Sequence, residues 1–279
     1  MMQKKLVQIL GLSSLIACAA IVVCLLGVIL FDMTGKGVQV LNWEFFTSFP
    51  HKGMTRGGIF PAIFGTVSVT LLSTLLAAPL GIACAVWLAE YAPNHTFTRL
   101  VQASIRNLAG VPSIVYGLFG LAIFVECMHM GMSVLASGCT LALLTLPSVI
   151  TTTEEALRRV PNLYREGALA LGATKWETLR SVVLPAAIPG IMTGVILALS
   201  RAAGETAPIL FTGVVFYSRF LPASVFDEFM ALPYHLYILS TQHHEPDIAR
   251  PLAYGTALVL LVLVLALNLV AFIVRAKQR

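Results

Sequence analysis

Residues 166–185 read EGALALGATKWETLRSVVLP and lie between two strongly apolar parts of the chain. A glycine divides the stretch into two short predicted helices. The first runs from about Leu163 to Leu171 and stops at Gly172, a residue suited to the left-handed position that follows a helix C-terminus. The second opens at Thr174, with Glu177 three residues on, the spacing of a capping box. On this helix Trp176, Leu179 and Val183 recur at helical spacing and share a face. Pro185 marks the return to apolar sequence. A charged elbow of this kind, set between apolar runs, needs a partner surface that accepts it.

The surrounding composition says what the elbow interrupts. Of 279 residues, 58% are hydrophobic and 11% are charged, against about 25% charged in soluble domains. Apolar runs at about 6–31, 59–89, 111–125, 132–153, 188–215 and 252–274 predict six membrane-crossing helices. The longer runs exceed the roughly 20 residues that span a bilayer. The expected fold class is therefore an all-α integral membrane protein. The first run contains Ala17-Cys18-Ala19, which imitates a cleavage site, but it continues to Leu30. A signal peptide has an apolar region of about 7–15 residues, so this run reads as an uncleaved span. Pro79 and Pro147 predict kinks in the second and fourth spans.

Basic residues set the expected orientation. With both termini cytoplasmic, the inner side holds Lys4, Lys5, Arg99, Arg106, Arg158, Arg159, Arg165, Lys175, Arg180, Arg275, Lys277 and Arg279. The outer side holds Lys36, Lys52, Arg56, Arg219 and Arg250. This excess inside obeys the positive-inside rule, and it places the elbow in the cytoplasm. The segment 90–107 then reads as a short cytoplasmic connection. The loop 32–58, with Trp43, Phe45, Phe46 and Phe49, lies outside, its aromatics at the membrane boundary. The loop 217–250 also lies outside, with Asp227-Glu228 a wet surface or a contact for an external protein.

Several chemistries find no support. There is no GxxxxGK[ST] run, so ATP is not hydrolysed by this chain itself, and no nucleophile–base spacing is recognisable. Cys18, Cys24, Cys84, Cys127 and Cys139 sit mostly in apolar runs without a CxxC and read as small buried hydrophobes. His235, His243 and His244, near Glu245 and Asp247, lack a complete ligand set and read as a solvated loop. No basic patch is interleaved with exposed aromatics, so nucleic acid is not an expected partner. Arg201 and Glu205 are the two charges expected well inside a span. An arginine at the bilayer centre costs about 2.5–3.5 kcal/mol, so a partner or a function is expected. One reading is a self-neutralising pair one helical turn apart. The other gives Arg201 to a substrate path, its planar donor fork fitting an oxyanion, with Glu205 holding it.

Four runs carry a resemblance. Glu166-Gly167-Ala168, then Gly172, then Val182-Val183-Leu184-Pro185 resembles the EAA loop, E-A-A-x3-G-x9-I-x-L-P, of ABC importer permeases. Gly167 replaces an alanine and Val182 the isoleucine. GGIFPAIFGT (57–66), GVPSIVYGLFG (110–120) and RAAGET (201–206) are similar to runs of the phosphate-type permeases. The chain thus resembles type I ABC importer permeases of the PstA type. The resemblance implies a first span and outer loop over 1–58, a permease domain over 59–271, and a coupling loop over 162–185. It implies that Glu166, Gly167, Ala168, Gly172, Trp176, Leu179 and Val183 serve coupling to an ATPase, and that Arg201 and Glu205 line the substrate path. It further implies a PstC-type second permease, two PstB-type ATPase subunits carrying the ATP, a PstS-type periplasmic phosphate-binding protein, and a place in the bacterial inner membrane. No cofactor is expected on this chain. A permease for molybdate or sulfate is the near alternative, an ion-coupled secondary transporter the more distant one, and a membrane enzyme the third.

Overall fold

The computed structural model describes residues 2–51, 54, 56–242 and 246–276. Lys52, His243, His244, Glu245, Lys277 and Arg279 lie outside the described residues. The chain is almost wholly helical: α1 Met2–Gly37, α2 Trp43–Thr47, α3 Phe60–Val86, α4 Thr96–Leu108, α5 Ser113–Gly120, α6 Val134–Arg158, α7 Asn162–Ala170, α8 Lys175–Thr178, α9 Leu184–Gly204, α10 Ala207–Leu210, α11 Leu232–Thr241 and α12 Pro246–Ala276. Among the described residues the strands are a two-residue antiparallel pair, β1 Pro50–His51 with β2 Arg56–Gly57, and Val214 and Phe229 form an isolated bridge.

Among the described residues, five helical stretches are long and apolar enough to cross a membrane, and counting the α4–α5 pair, bent by 99°, as one broken span gives six. The third span is short: α5 and the wide turn that follows it to Cys127 rise about 22 Å at 1.5 Å per residue. Ahead of it, α4 is a folded amphipathic helix rather than a bare connection. Its Gln102 donates to Glu154 of α6, and Val101 and Ile105 pack with Ala85, Leu88 and Ile150.

Helix α3 packs along α6, and α9 contacts both α6 and α12. Small residues permit this. A Cβ on Gly81 would meet the Val149 side chain at 2.7 Å. Four hydroxyls within the bundle are satisfied locally, Thr66, Thr70, Thr140 and Thr145 each donating to the carbonyl four residues earlier. The helices run through Pro79 and Pro147 without a break. The irregularity of the second span lies instead at Trp87–Tyr91, a wide turn closed by Ala92 N–H on the Trp87 carbonyl.

Two expectations about the spans are corrected. The run 188–215 is not one span: its helix is continuous from Lys175 and ends at Gly204. Glu205 is extended, and the chain turns into α10. Pro208 is the physical reason, since it has no N–H to continue the ladder onto the carbonyl of Gly204. The cysteines are the second. Cys18, Cys24 and Cys127 are exposed, because α1 and the third span turn apolar faces outward, as a bilayer permits.

The loops 42–60 and 212–242 fold together into a cap at one end of α3 and α6. Phe45, Ile59, Met230, Leu232, Ile238 and Leu239 form one core, and Phe229 and Ala231 join Val69, Leu141 and Ile209 in another. Phe45 is therefore an interior residue, while Trp43 is 82% exposed. Asp227 holds the cap's outer turn by accepting from the N–H groups of Ala223 and Ser224 at 2.9 and 2.8 Å. His235, expected in a solvated loop, is buried in α11, and desolvation pushes its imidazole pKa down to about 4.

Candidate functional site: the elbow and the Arg201 break

The elbow folds from local signals. Helix α7 ends at Ala170 and is capped by Leu171, and Gly172 follows at φ +88°, where a side chain would be strained. The Thr174 hydroxyl accepts from Glu177 N–H, and the Glu177 carboxylate accepts from Thr174 N–H at 2.7 Å, completing the capping box. Helix α8 then leads through a wide turn, Leu179–Val183, directly into α9. The second limb of the elbow and the fifth span are thus one continuous helical element.

Its apolar face divides. Leu179 and Val183 are fully buried against Leu157, Val160, Ala187 and Ile191. Trp176, expected to share their face, is 58% exposed. The reason is position: Trp176 lies in the first turn of this helix, and burial against the bundle begins at Thr178. Leu171 is 90% exposed, and Leu163, Tyr164 and Leu169 are exposed as well. Glu166 and Gly167 are exposed, Ala168 is half-buried, and nothing approaches the Cβ positions of Gly167 or Gly172. The elbow tip is therefore an apolar surface that no part of this chain covers among the described residues.

One anchoring residue was not legible as such from the sequence. Arg165, in α7, forms an ion pair with Glu90, in the wide turn that ends the second span, at 2.7 Å. It also donates to the carbonyls of Leu157 and Val160 at the end of α6, at 2.8 and 2.7 Å. No local pattern could pair residues 75 positions apart.

At the far end of α9, Arg201 lies in the last helical turn and Glu205 is the residue that caps it. A cation at a helix C-terminus is favourably placed. Arg201 Nε donates to Glu205 Oε1 at 3.3 Å, with Arg201 45% and Glu205 17% exposed. They lie at the helix break rather than inside a continuous span. The pair forms, yet it leaves almost half of the guanidinium side chain accessible. The run 110–120 packs just beyond this break. A Cβ on Gly117 would lie 2.9 Å from the Ala207 carbonyl and 3.1 Å from Pro208, so α5 packs directly on the chain after the break. Among the described residues no three His, Cys, Asp or Glu side chains gather as a metal site.

Residues 77–278 match the family of binding-protein-dependent transport system inner membrane components. The chain belongs to that family. It is 34% identical over 281 residues to the probable ABC transporter permease protein YqgI of Bacillus subtilis strain 168, covering 97% of this chain and 95% of that one. It is 40% identical over 215 residues to the phosphate transport system permease protein PstA of Mycobacterium leprae strain TN, covering 76% of this chain and 69% of that one. Its fold is shared with a chain of a bacterial alginate ABC transporter, at a TM-score of 0.67 and 14% identity over 94% of this chain and 92% of that one. The protein is thus a multi-pass membrane permease subunit of an ABC importer, a transport subunit and not an enzyme.

Proposed function

We propose that this permease passes inorganic phosphate across the bacterial inner membrane, driven by ATPase subunits that dock on the elbow. The observation that carries the coupling is the elbow tip, where Leu171 and Trp176 stand exposed on a capped, geometrically fixed loop. Exposed apolar residues on an ordered element mark an interaction surface. Two PstB-type ATPase subunits, a PstC-type permease and a PstS-type binding protein are the partners that the family resemblance implies. The positive-inside count supports both termini and the elbow in the cytoplasm, with the cap outside, where the binding protein would meet it.

Phosphate as the substrate is supported by the PstA relative and by Arg201 at the helix break. The break puts a permanently charged donor fork where backbone no longer continues as helix, and irregular backbone at membrane depth belongs beside a cavity or within protein. Glu205 orients the guanidinium by accepting from its Nε. In the cycle, ATP binding closes the ATPase pair, the elbow carries that motion into the fifth span, and the far end of that span moves the Arg201 region between two accessible states. Gly172 and the capping box keep the elbow's shape while it moves.

The test is uptake of labelled phosphate by the reconstituted complex, with molybdate and sulfate as competitors. Competition by unlabelled phosphate alone is expected. Equal competition by molybdate or sulfate would assign another oxyanion. Arg201→Gln and Glu205→Gln, made separately, should each abolish most uptake at normal protein levels. Normal uptake in both variants removes these residues from the path.

A further inference from the structure

We infer that Arg165 and Glu90 form the stiff joint that makes the elbow move with the second and fourth spans, so that Arg165 is a positioning residue of the transport cycle. The inference rests on the reading of the elbow as the ATPase contact.

An element that transmits force needs a free tip and a fixed root. The tip is free of the described residues of this chain, as Leu171 and Trp176 show. On the α8 side the root is fixed by apolar packing of Leu179 and Val183. On the α7 side it is not, because α7 buries none of its residues. That limb is held by polar contacts of Arg165. Its Nε donates to both oxygens of Glu90, at 3.2 and 3.3 Å. Nη2 donates to Glu90 Oε1 at 2.7 Å and to the Leu157 carbonyl at 2.8 Å. Nη1 donates to the Val160 carbonyl at 2.7 Å and approaches Asn162 Oδ1 at 3.5 Å.

All three nitrogens are engaged, and five N–H groups in one plane have acceptors on three elements. The side chains of Arg165 and Glu90 are only 19% and 16% exposed, so solvent screens the pair less than a surface ion pair. A guanidinium can join a carboxylate to helix-end carbonyls in fixed geometry, whereas an ammonium is a compact point charge with three donors and no fork. Glu90 sits in the wide turn Trp87–Tyr91, so the joint links α7 to the ends of both α3 and α6. Motion of the tip is thereby delivered to two further spans, beyond the α9 helix with which the elbow is continuous.

The experiment uses the full complex in proteoliposomes. It reads labelled inorganic phosphate taken up per ATP hydrolysed, together with co-purification of the ATPase subunits. Arg165→Gln and Glu90→Gln should each lower uptake per ATP by about five- to tenfold, with the ATPase still co-purifying. Arg165→Lys should fall between these and the unaltered protein. Glu90→Gln leaves the helix-end contacts of Arg165 in place and keeps the test valid where Arg165→Gln fails to assemble. Unchanged uptake per ATP in Glu90→Gln, or uptake and hydrolysis falling in parallel, overturns the joint. Trp176→Ala combined with Leu171→Ser separates the two readings. If that variant keeps normal ATPase co-purification and uptake, the elbow is not the ATPase contact. If it loses both while Glu90→Gln behaves normally, only the joint is wrong.

Discussion

The elbow and the cap are both connections between spans, and they treat apolar side chains in opposite ways. The cap turns them inward. Phe45, Phe229, Met230 and Leu232 are almost completely buried, drawn from two loops far apart in sequence. Backbone is stitched to the bundle as well, Leu232 N–H donating to the Thr66 hydroxyl at 2.8 Å. The elbow turns its apolar tip outward and keeps its shape through capping, a left-handed glycine and the Arg165 joint. A cap built this way buries its apolar surface within the chain. An elbow built this way has a shape without a partner, but its apolar surface is satisfied only by one.

Substitutions can break this contrast, the largest effects falling in the cap. Phe229→Ala should destabilise the protein by about 3–5 kcal/mol through loss of buried area and a residual cavity. Denaturant unfolding in detergent measures it, and a loss below about 1 kcal/mol would mean that the cap is not an independent core. His235 gives the cap a pH signature. Its imidazole stays neutral down to about pH 4 when folded, while the unfolded chain takes up the proton near pH 6.5. Stability should therefore be fully present above about pH 6.5 and fall as pH drops toward 4, by up to about 3 kcal/mol. Unfolding midpoints over that range should slope for the unaltered protein and flatten for His235→Leu.

The elbow should respond less in stability and more in coupling. Gly172→Ala meets no neighbouring atom but forces a side chain onto φ +88°, at a cost of about 1–2 kcal/mol confined to the elbow. Hydrogen exchange of α7 and α8 amides should rise while that of the cap does not. Gly167→Ala also meets open space, and here φ is helical, so α7 should gain up to about 1 kcal/mol. Exchange in α7 should slow. Trp176→Ala should change stability by less than about 0.5 kcal/mol, as surface positions do. Its effect should appear only as lost ATPase co-purification. A stability loss as large as that of Phe229→Ala would show that the elbow is a second core and would sink the contrast.

The same contrast governs what could be read ahead of the structure. The elbow was legible because its determinants are short-range. Gly172, Thr174 and Glu177 act on backbone groups within three residues of themselves. The break after Gly204 had a local signal too, Pro208 four residues on, but the apolar run through Ile209, Leu210 and Phe211 hid it under the hydropathy of a span. The cap carried no such signal. Aromatics in a loop between spans have the composition of a membrane boundary, and only the meeting of residues 45 and 230 makes Phe45 an interior side chain.

What the sequence determined by itself was the solvent and the segments. Runs of apolar residues decide that the chain lies in a bilayer, and caps and turn residues decide where the elbow bends, because both act over one or two helical turns. Tertiary structure alone decided which of those segments hold each other. It put Glu90 beneath Arg165, Gly117 against Ala207 and Thr66 under Leu232. Such pairs depend on how the helices cross, and a single sequence carries no local energy term that fixes a crossing.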